Sequence, residues 1–173
     1  GNTGTTFDAL IDGGDGIDFA RIDRGLATAA MTFSMADPSV AQSLGGTVVV
    51  NVERIDLFSG SGNDTLTGGA GADNFVFDAA LAGNVDRITD YNVASDRILL
   101  ENAVFTGLAK GGLAASAFKN LSLGSADASD RILWNAATGD LFFDADGAGG
   151  AAAVKFANVV SATALTAGEF LVI

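Results

Sequence analysis

The chain has 173 residues, and its 9 Lys and Arg against 21 Asp and Glu give a formal net charge of −12. It contains no Cys and no His, which excludes a disulfide framework, a thiolate nucleophile, a Cys/His zinc site and a His-dependent catalytic triad. The acidic charge argues against nucleic acid and anionic membranes as partners and is compatible with cations. No apolar run is long enough to span a membrane, and no cleavable export signal is recognisable.

The kind of acidic residue is more informative than the total. There are 18 Asp and only 3 Glu, alongside 23 Gly and a single Pro. Short carboxylates beside glycines are typical of tight turns, in which the Asp side chain lies close to the backbone. This composition favours a chain with many acidic turns over one with a merely solvated acidic surface.

A nine-residue repeat occupies the middle of the chain. Residues 59–67 (SGSGNDTLT) are followed directly by residues 68–76 (GGAGADNFV), and a third copy lies upstream at residues 13–21 (GGDGIDFAR). All three follow the pattern G-G-x-G-x-D-x-U-x, except that the copy at residues 59–67 begins with Ser59. In this pattern U is an apolar residue, and the pattern is known as a calcium-binding repeat. The repeated glycines and aspartates are Gly14, Gly16 and Asp18 in the first copy, Gly60, Gly62 and Asp64 in the second, and Gly69, Gly71 and Asp73 in the third.

Each position of this repeat has a physical role. The glycines let the backbone turn sharply with its carbonyl oxygens inward, the Asp adds an anionic oxygen, and the apolar residue begins a short strand. One nonapeptide is therefore predicted to form half a turn of a coil, and strands one full turn apart are predicted to stack in parallel about 4.8 Å apart. Because Ca²⁺ needs about 6–8 oxygen ligands, loops of adjacent turns would have to share each ion.

The rest of the chain is predicted to be rich in strands. Residues 22–58 are interpreted as a hairpin-like strand insertion, and strand-like segments follow one another after residue 78. Four of the six arginines lie in acid-Arg-Ile units, for which we expect strand alternation with Arg outside and Ile inside. A calcium role for the acid is the less favoured interpretation. The units begin at Glu53, Asp86, Asp96 and Asp130.

These motifs resemble a known family. The repeats end in residues 71–77 (GADNFVF) and lead into residues 85–91 (VDRITDY), a run similar to the C-terminal part of RTX proteins exported by Gram-negative type I secretion systems. Such proteins include serralysin-type proteases, haemolysin-like toxins and surface-layer proteins. Residues 140–147 (DLFFDADG) and the tail at residues 169–173 (EFLVI) are also similar to segments of these substrates.

The resemblance implies an all-β fold in two parts. Residues 1–78 would form a short calcium-bound parallel β-roll, with the strand insertion at about residues 22–58. Residues 79–173 would form a β-rich, sandwich-like capping domain that also contains the type I secretion target. In such a roll each calcium ion lies between loops on the same side, and each loop donates its Asp and the carbonyls of the glycines two and four positions before it.

For the third repeat, this scheme groups Asp73 with the carbonyls of Gly69 and Gly71. The loop of the next turn should supply a carboxylate about eighteen residues further on. Asp90 is the nearest carboxylate to that position, and Asp86 is the alternative.

For the second repeat, the scheme groups Asp64 with the carbonyls of Gly60 and Gly62. Eighteen residues further on the chain has Ala82, which offers no carboxylate. Asp78 or Asp86 would have to complete this site.

For the first repeat, the insertion separates Asp18, Gly14 and Gly16 from the next turn. In serralysin-like chains a Glu just before the next repeat closes this site, and Glu53 is the matching residue. The carbonyl of Asn51 would accompany it.

Asp144 is a further candidate ligand, in a segment that resembles the start of an EF-hand loop. Position five of such a loop would be Ala148, and no Glu follows at position twelve, so a complete EF-hand is excluded. A hairpin turn is the favoured interpretation of Asp144 and Asp146.

The leading functional hypothesis is a non-catalytic, calcium-binding C-terminal module of a secreted RTX protein. It would fold on extracellular calcium, interact with the type I secretion machinery through an uncleaved signal, and be located outside the cell or at its surface. The alternative is a calcium-dependent structural or adhesive module of a surface-layer protein or adhesin, with self-association as a further partner interaction. An acidic β domain that binds no calcium is the least favoured interpretation.

An enzymatic activity of the chain itself is not expected. The carboxylate pairs that suggest acid–base catalysis are Asp86 with Asp90 and Asp144 with Asp146. Neither pair is accompanied by the aromatic residues that a sugar-binding groove would need. A catalytic domain upstream in a longer parent protein is compatible with this expectation.

Overall fold

The computed structural model describes residues 9–147, 149–160 and 164–173. In these residues the protein is all-β, with short strands β1 to β16 numbered in chain order and helical structure limited to three-residue 3₁₀ turns. The 3₁₀ turns are Ala115–Ala117, Leu121–Leu123 and Ala167–Glu169. No helix in the described part of the chain is long and apolar enough to cross a membrane.

The first sheet has six strands, of which the first five in spatial order are mutually parallel. The last strand is antiparallel to its neighbour. In spatial order the strands are β2 (Phe19–Asp23), β6 (Arg54–Phe58), β8 (Asn74–Phe77), β10 (Arg97–Leu100), β16 (Phe170–Val172) and β11 (Gly111–Gly112).

The second sheet has seven strands and begins with four parallel ones. Two antiparallel pairings and one parallel pairing follow. In spatial order the strands are β3 (Thr32–Ser34), β7 (Thr65–Thr67), β9 (Asp86–Ile88), β15 (Val154–Val159), β14 (Asp140–Phe143), β13 (Ile132–Asn135) and β12 (Phe118–Asn120).

The chain alternates between these two sheets, so its connecting loops line up along two edges. Edge A contains the segments that lead into strands of the first sheet, and edge B contains those that lead from the first sheet to the second. Edge A consists of residues 13–18, 51–53, 68–73 and 89–96, and edge B of residues 24–31, 59–64 and 78–85.

A third, smaller sheet lies beside edge A. It contains β1 (Leu10–Asp12), β5 (Thr47–Val50) and β4 (Gln42–Leu44), with β4 and β5 forming a hairpin. Gly45 and Gly46 connect them with φ of 56° and 104°, the backbone that a tight two-residue hairpin turn requires. The predicted insertion at residues 22–58 is thereby shortened, because β3 within that range pairs with β7 in the second sheet.

Apolar side chains at the same register position form a continuous core between the two large sheets. In the first sheet Leu57 lies beside Phe75, eighteen residues further on, which is the spacing expected for two nonapeptides. All members of both rows are at most 5% exposed and belong to one core cluster. The rows are Ile22, Leu57, Phe75, Ile98 and Phe170 in the first sheet, and Phe33, Leu66, Ile88 and Val159 in the second.

Both large sheets continue across the domain boundary predicted after residue 78. Strand β8 pairs with β10, and β7 pairs with β9. The segment expected to be a separate cap therefore adds strands to the same two sheets and shares their core.

We predict that Leu66→Ala lowers the free energy of unfolding by about 2–5 kcal/mol, because Leu66 is 1% exposed in the core row of the second sheet. Leu123→Ala is the matched control, since Leu123 is 82% exposed, and should change the free energy by less than about 0.5 kcal/mol. Urea unfolding of both variants would measure this. Equal effects of the two substitutions would contradict the described core.

Candidate metal centre

The aspartates of the three repeats lie at the two loop edges. Asp18 and Asp73 are at edge A, and Asp64 is at edge B. Successive repeat aspartates lie at opposite edges because each nonapeptide connects a strand of one sheet to a strand of the other. Repeats two half-turns apart therefore share an edge.

Two kinds of glycine allow the loops to stack closely. Gly60 and Gly69 have φ of 94° and 96°, a left-handed backbone that other residues rarely adopt. Gly71 is instead required for space, because a Cβ at this position would overlap the carbonyl oxygen of Glu53 in the preceding turn. The glycines thus bring loop carbonyls of successive turns close together.

Each repeat aspartate has one buried carboxylate oxygen without a hydrogen-bond partner. Oδ1 of Asp64 accepts the N–H of Met31 at 2.7 Å, and Oδ1 of Asp73 accepts the N–H of Ile55 at 2.9 Å. In both residues Oδ2 is buried and has no hydrogen-bond partner, as is also true of Oδ2 of Asp18. Burial of a carboxylate oxygen without a hydrogen-bond partner lowers the free energy of unfolding, and a bound cation would offset this loss.

Asp18 meets the carboxylate that the family resemblance implied for it. Oε2 of Glu53 accepts the N–H of Asp18 at 2.9 Å, and the carbonyl of Asp18 accepts the N–H of Glu53 at 3.2 Å. The carbonyl oxygen of Asn51 lies directly against Gly13. The first repeat, which contains Gly14 and Gly16, is therefore stacked on residues 51–53.

Asp73 has two acidic neighbours from the next turn. Oδ1 of Asp96 accepts the N–H of Asp73 at 3.2 Å, while Asp90 accepts the N–H groups of Gly68 and Gly69 at 3.0 and 2.7 Å. Burial raises the pKa of Asp73 to about 7, and the charges of Asp96 and Asp90 contribute to the same shift. Asp90 was predicted here, whereas Asp96 was missed.

Asp64 is paired with Asp86 at edge B. Oδ1 of Asp86 accepts the N–H of Asp64 at 3.1 Å, and its Oδ2 accepts the hydroxyl of Ser59 at 2.8 Å. Asn84 closes the same loop by donating from Nδ2 to the carbonyl of Gly60 at 3.1 Å. Burial raises the pKa of Asp86 to about 7 and also raises that of Asp64. Asp86 thus lies beside Asp64 and not beside Asp73, for which it was the alternative partner.

Asp78 belongs to another acidic group at edge B. Its Oδ1 is buried without a partner. Burial raises its pKa, and the charges of Asp23 and Glu101 raise it further. Oδ2 of Asp78 would be 3.0 Å from a Cβ on Gly25, so Asp78 faces the loop of residues 24–31 and not Asp64.

Asp144 occupies a turn in the C-terminal part. It is 7% exposed, and its Oδ1 accepts the N–H of Asp146 at 3.2 Å. The residue follows β14, which pairs with β15 in antiparallel orientation. Among the described residues, no hydrogen bond joins Asp144 to a candidate ligand at either loop edge.

The acid-Arg-Ile units explain which acids meet the repeat aspartates. The Ile of each unit is fully buried and the acid lies at the end of a loop. In three units this acid accepts the N–H of a repeat Asp. The acid-Arg-Ile pattern at residues 96–98 was therefore the feature of the sequence that could have identified Asp96 as a neighbour of Asp73. The three pairs are Glu53 with Asp18, Asp86 with Asp64, and Asp96 with Asp73.

The donor chemistry of these loops is restricted to oxygen. No group of three or more acidic side chains in the described residues converges on one point. A cation at the loop edges would therefore need backbone carbonyls in addition to one or two carboxylates. Calcium accepts such mixed oxygen ligands in flexible geometry, whereas zinc prefers the Cys and His ligands that the chain lacks.

Comparisons of the chain with protein-family models, with curated proteins and with solved structures gave no match.

We predict that Gly71→Ala destabilises the protein by about 1–3 kcal/mol, because its Cβ would displace the Glu53 carbonyl and separate the stacked loops. Gly112→Ala is the matched control, since no atom lies within 4 Å of a Cβ at this position. Urea unfolding would compare the two variants. A cost at Gly112 equal to that at Gly71 would contradict the stacking.

Without metal, stability should fall as the pH rises. The pKa of Asp73 and that of Asp86 are about 7 in the folded state, against about 3.9 for an unfolded Asp. The folded state therefore binds more protons, and the contribution of these groups is full below about pH 4 and lost as the pH approaches 7. Thermal melts of metal-free protein should show a lower midpoint at pH 8 than at pH 5.

The double variant Asp73→Asn and Asp86→Asn is the control for this pH dependence and should flatten it. Added calcium should favour the deprotonated carboxylates and raise the midpoint most at pH 8. A metal-free midpoint that increases between pH 5 and pH 8 would contradict the assigned burial of these groups.

Proposed function

We propose that the chain is a non-catalytic calcium-binding module of the RTX kind, in which each ion is held between loops of successive turns. The observation that carries this proposal is the pair of buried Oδ2 atoms of Asp64 and Asp73, each without a hydrogen-bond partner. Both atoms occur at the Asp position of the nonapeptide, in loops whose glycines allow close approach of backbone carbonyls.

The strand order supports a short parallel β-roll as the form of this module. From β2 to β10 the chain adds parallel strands alternately to two sheets whose inner faces share one core. The antiparallel strands β11, β13 and β14 fit a cap, because they extend the sheets beyond the last repeat and change the pairing from parallel to antiparallel.

The proposed ligand sets combine the repeats with the acids of the acid-Arg-Ile units. Each set has carboxylates from two successive turns and the carbonyls of two repeat glycines. The first set has Asp18, Glu53, Gly14, Gly16 and Asn51; the second has Asp64, Asp86, Gly60 and Gly62; the third has Asp73, Gly69, Gly71 and the carboxylate of either Asp90 or Asp96.

Calcium would act as a folding cofactor at these positions. Folding without it requires that buried acids either remain charged next to one another or take up protons, as the pKa of about 7 at Asp73 indicates. An ion that binds only the folded state stabilises it by about 2.7 kcal/mol per site at a hundredfold excess over the Kd. Extracellular modules bind calcium with Kd of about 10⁻⁴–10⁻³ M, so at about 1 mM calcium outside the cell each site would contribute about 0.4–1.4 kcal/mol, and the sites would have to act together.

The C-terminal strand connects folding to the proposed export role. In the folded chain β16 lies between β10 and β11, and Phe170 and Val172 are each 2% exposed. A secretion signal at this position would be accessible to an exporter only before the first sheet forms. A chain that stays unfolded at low calcium would keep this signal accessible until it leaves the cell.

A calcium titration tests the proposal. At pH 8 and a temperature above the metal-free melting midpoint, circular dichroism and the fluorescence of Trp134, which is the single Trp and is 1% exposed, should report a coil with chelator and a folded β protein with millimolar calcium. Asp64→Asn and Asp73→Asn should each raise the calcium concentration at the midpoint by about tenfold or more.

Asp127→Asn is the charge-matched control for this titration. Asp127 is exposed and hydrogen-bonds to Ser129 within its own loop, so the calcium midpoint of this variant should be unchanged. Spectra that are identical with chelator and with calcium would refute the proposed function.

A further inference from the structure

The outer edge of β2 contributes no ligand to the proposed calcium sites. Strand β2 ends the first sheet, and among the described residues no strand pairs with its outer side. Three large apolar side chains on or beside this strand are exposed: Ile17 by 79%, Phe19 by 55% and Leu26 by 99%. Native proteins normally protect such an edge, because its free backbone groups can pair with another chain.

We infer that this edge pairs with the same edge of a second copy of the chain, in antiparallel orientation. The inference goes beyond the proposed function, because it uses no calcium ligand of the three assigned sets. The N–H of Arg24 donates to the carbonyl of Phe58 in β6 at 2.8 Å. Since backbone groups alternate along a strand, Ile22 also faces β6, and Arg21 and Asp23 point their backbone groups outward.

Charge complementarity selects the register of the pairing. A twofold axis at Ile22 places Arg21 of each copy opposite Asp23 of the other and gives two cross-strand ion pairs. An axis at Arg21 would place the two arginines opposite each other, which is repulsive. Within one chain Arg21 and Asp23 already form an ion pair at 3.8 Å, and their side chains are still 59% and 61% exposed, so each can make a second contact across the edge.

The same register joins the apolar parts of the two copies. Ile22 is 5% exposed on the inner face of the sheet and would lie opposite Ile22 of the second copy, so that the two cores become continuous. Phe19 would face the turn that contains Gly25 and Leu26 in the second copy. A large aromatic side chain beside a glycine at a sheet edge is a favourable cross-strand arrangement.

Sedimentation velocity over a wide concentration range tests the pairing, under whichever calcium condition circular dichroism shows the chain to be folded. The unaltered chain should dimerise. Arg21→Asp places acids opposite acids and Asp23→Arg places arginines opposite arginines, so each variant alone should dimerise at least about tenfold more weakly.

An equimolar mixture of the two variants should restore the dimer, because each Asp of one then faces an Arg of the other. Circular dichroism and Trp134 fluorescence must show that both variants fold. A folded parent chain that stays monomeric over the whole concentration range would overturn the inference. So would folded variants whose mixture remains monomeric. Neither result depends on calcium binding, so a failure here is distinguishable from a failure of the proposed function.

Discussion

The interaction on which the fold depends is a carboxylate of one turn that accepts an N–H from a neighbouring turn. Asp64 and Asp73 accept from the preceding turn, and Glu53, Asp86 and Asp96 each accept from a repeat Asp in the same way. This hydrogen bond aligns successive loops but uses only one carboxylate oxygen of Asp64 and of Asp73. The second oxygen is buried, and without a cation the acid can avoid its charge only by binding a proton. The same carboxylates therefore align the turns and create the negative charge that a cation would neutralise.

The strands depend on this alignment because they are too short to define their own positions. Most parallel strands have three to five residues and would be only marginally stable as isolated pairs. The loop contacts fix the offset between turns, and this offset brings Leu57 beside Phe75 and Leu66 beside Ile88. A one-residue slip would turn these side chains out of the core. Core packing and loop electrostatics consequently stabilise the same register.

Features set by the spacing within the repeat could be predicted from the sequence. Contacts between segments far apart in the chain could not. The alternation of strands between the two sheets and the loop positions of Asp64 and Asp73 follow from the nine-residue spacing, whereas the proximity of Asp18 to Glu53 was implied by the family resemblance. Asp96 was missed because counting eighteen residues onward assumed a regular turn, whereas Phe75 pairs with Ile98, twenty-three residues further on. Loop length is not contained in the periodicity. The register of β8 with β10 could not be predicted for the same reason, since no local pattern specifies how far along the chain the next paired strand lies.

The position of the last strand extends the effect of the loop carboxylates to the end of the chain. Strand β16 pairs with β10, and β10 follows directly on the loop that carries Asp90 and Asp96. The N–H of Ile173 donates to the carbonyl of Leu100, so the final residue is also held by this strand. Strand β10 is in turn held beside the repeats, because Oδ1 of Asp96 accepts the N–H of Asp73 and the carbonyl of Asp73 accepts the N–H of Arg97 at 2.8 Å. The buried C-terminal strand therefore pairs with a strand that the loop contacts position, although no residue of the tail belongs to the proposed ligand sets.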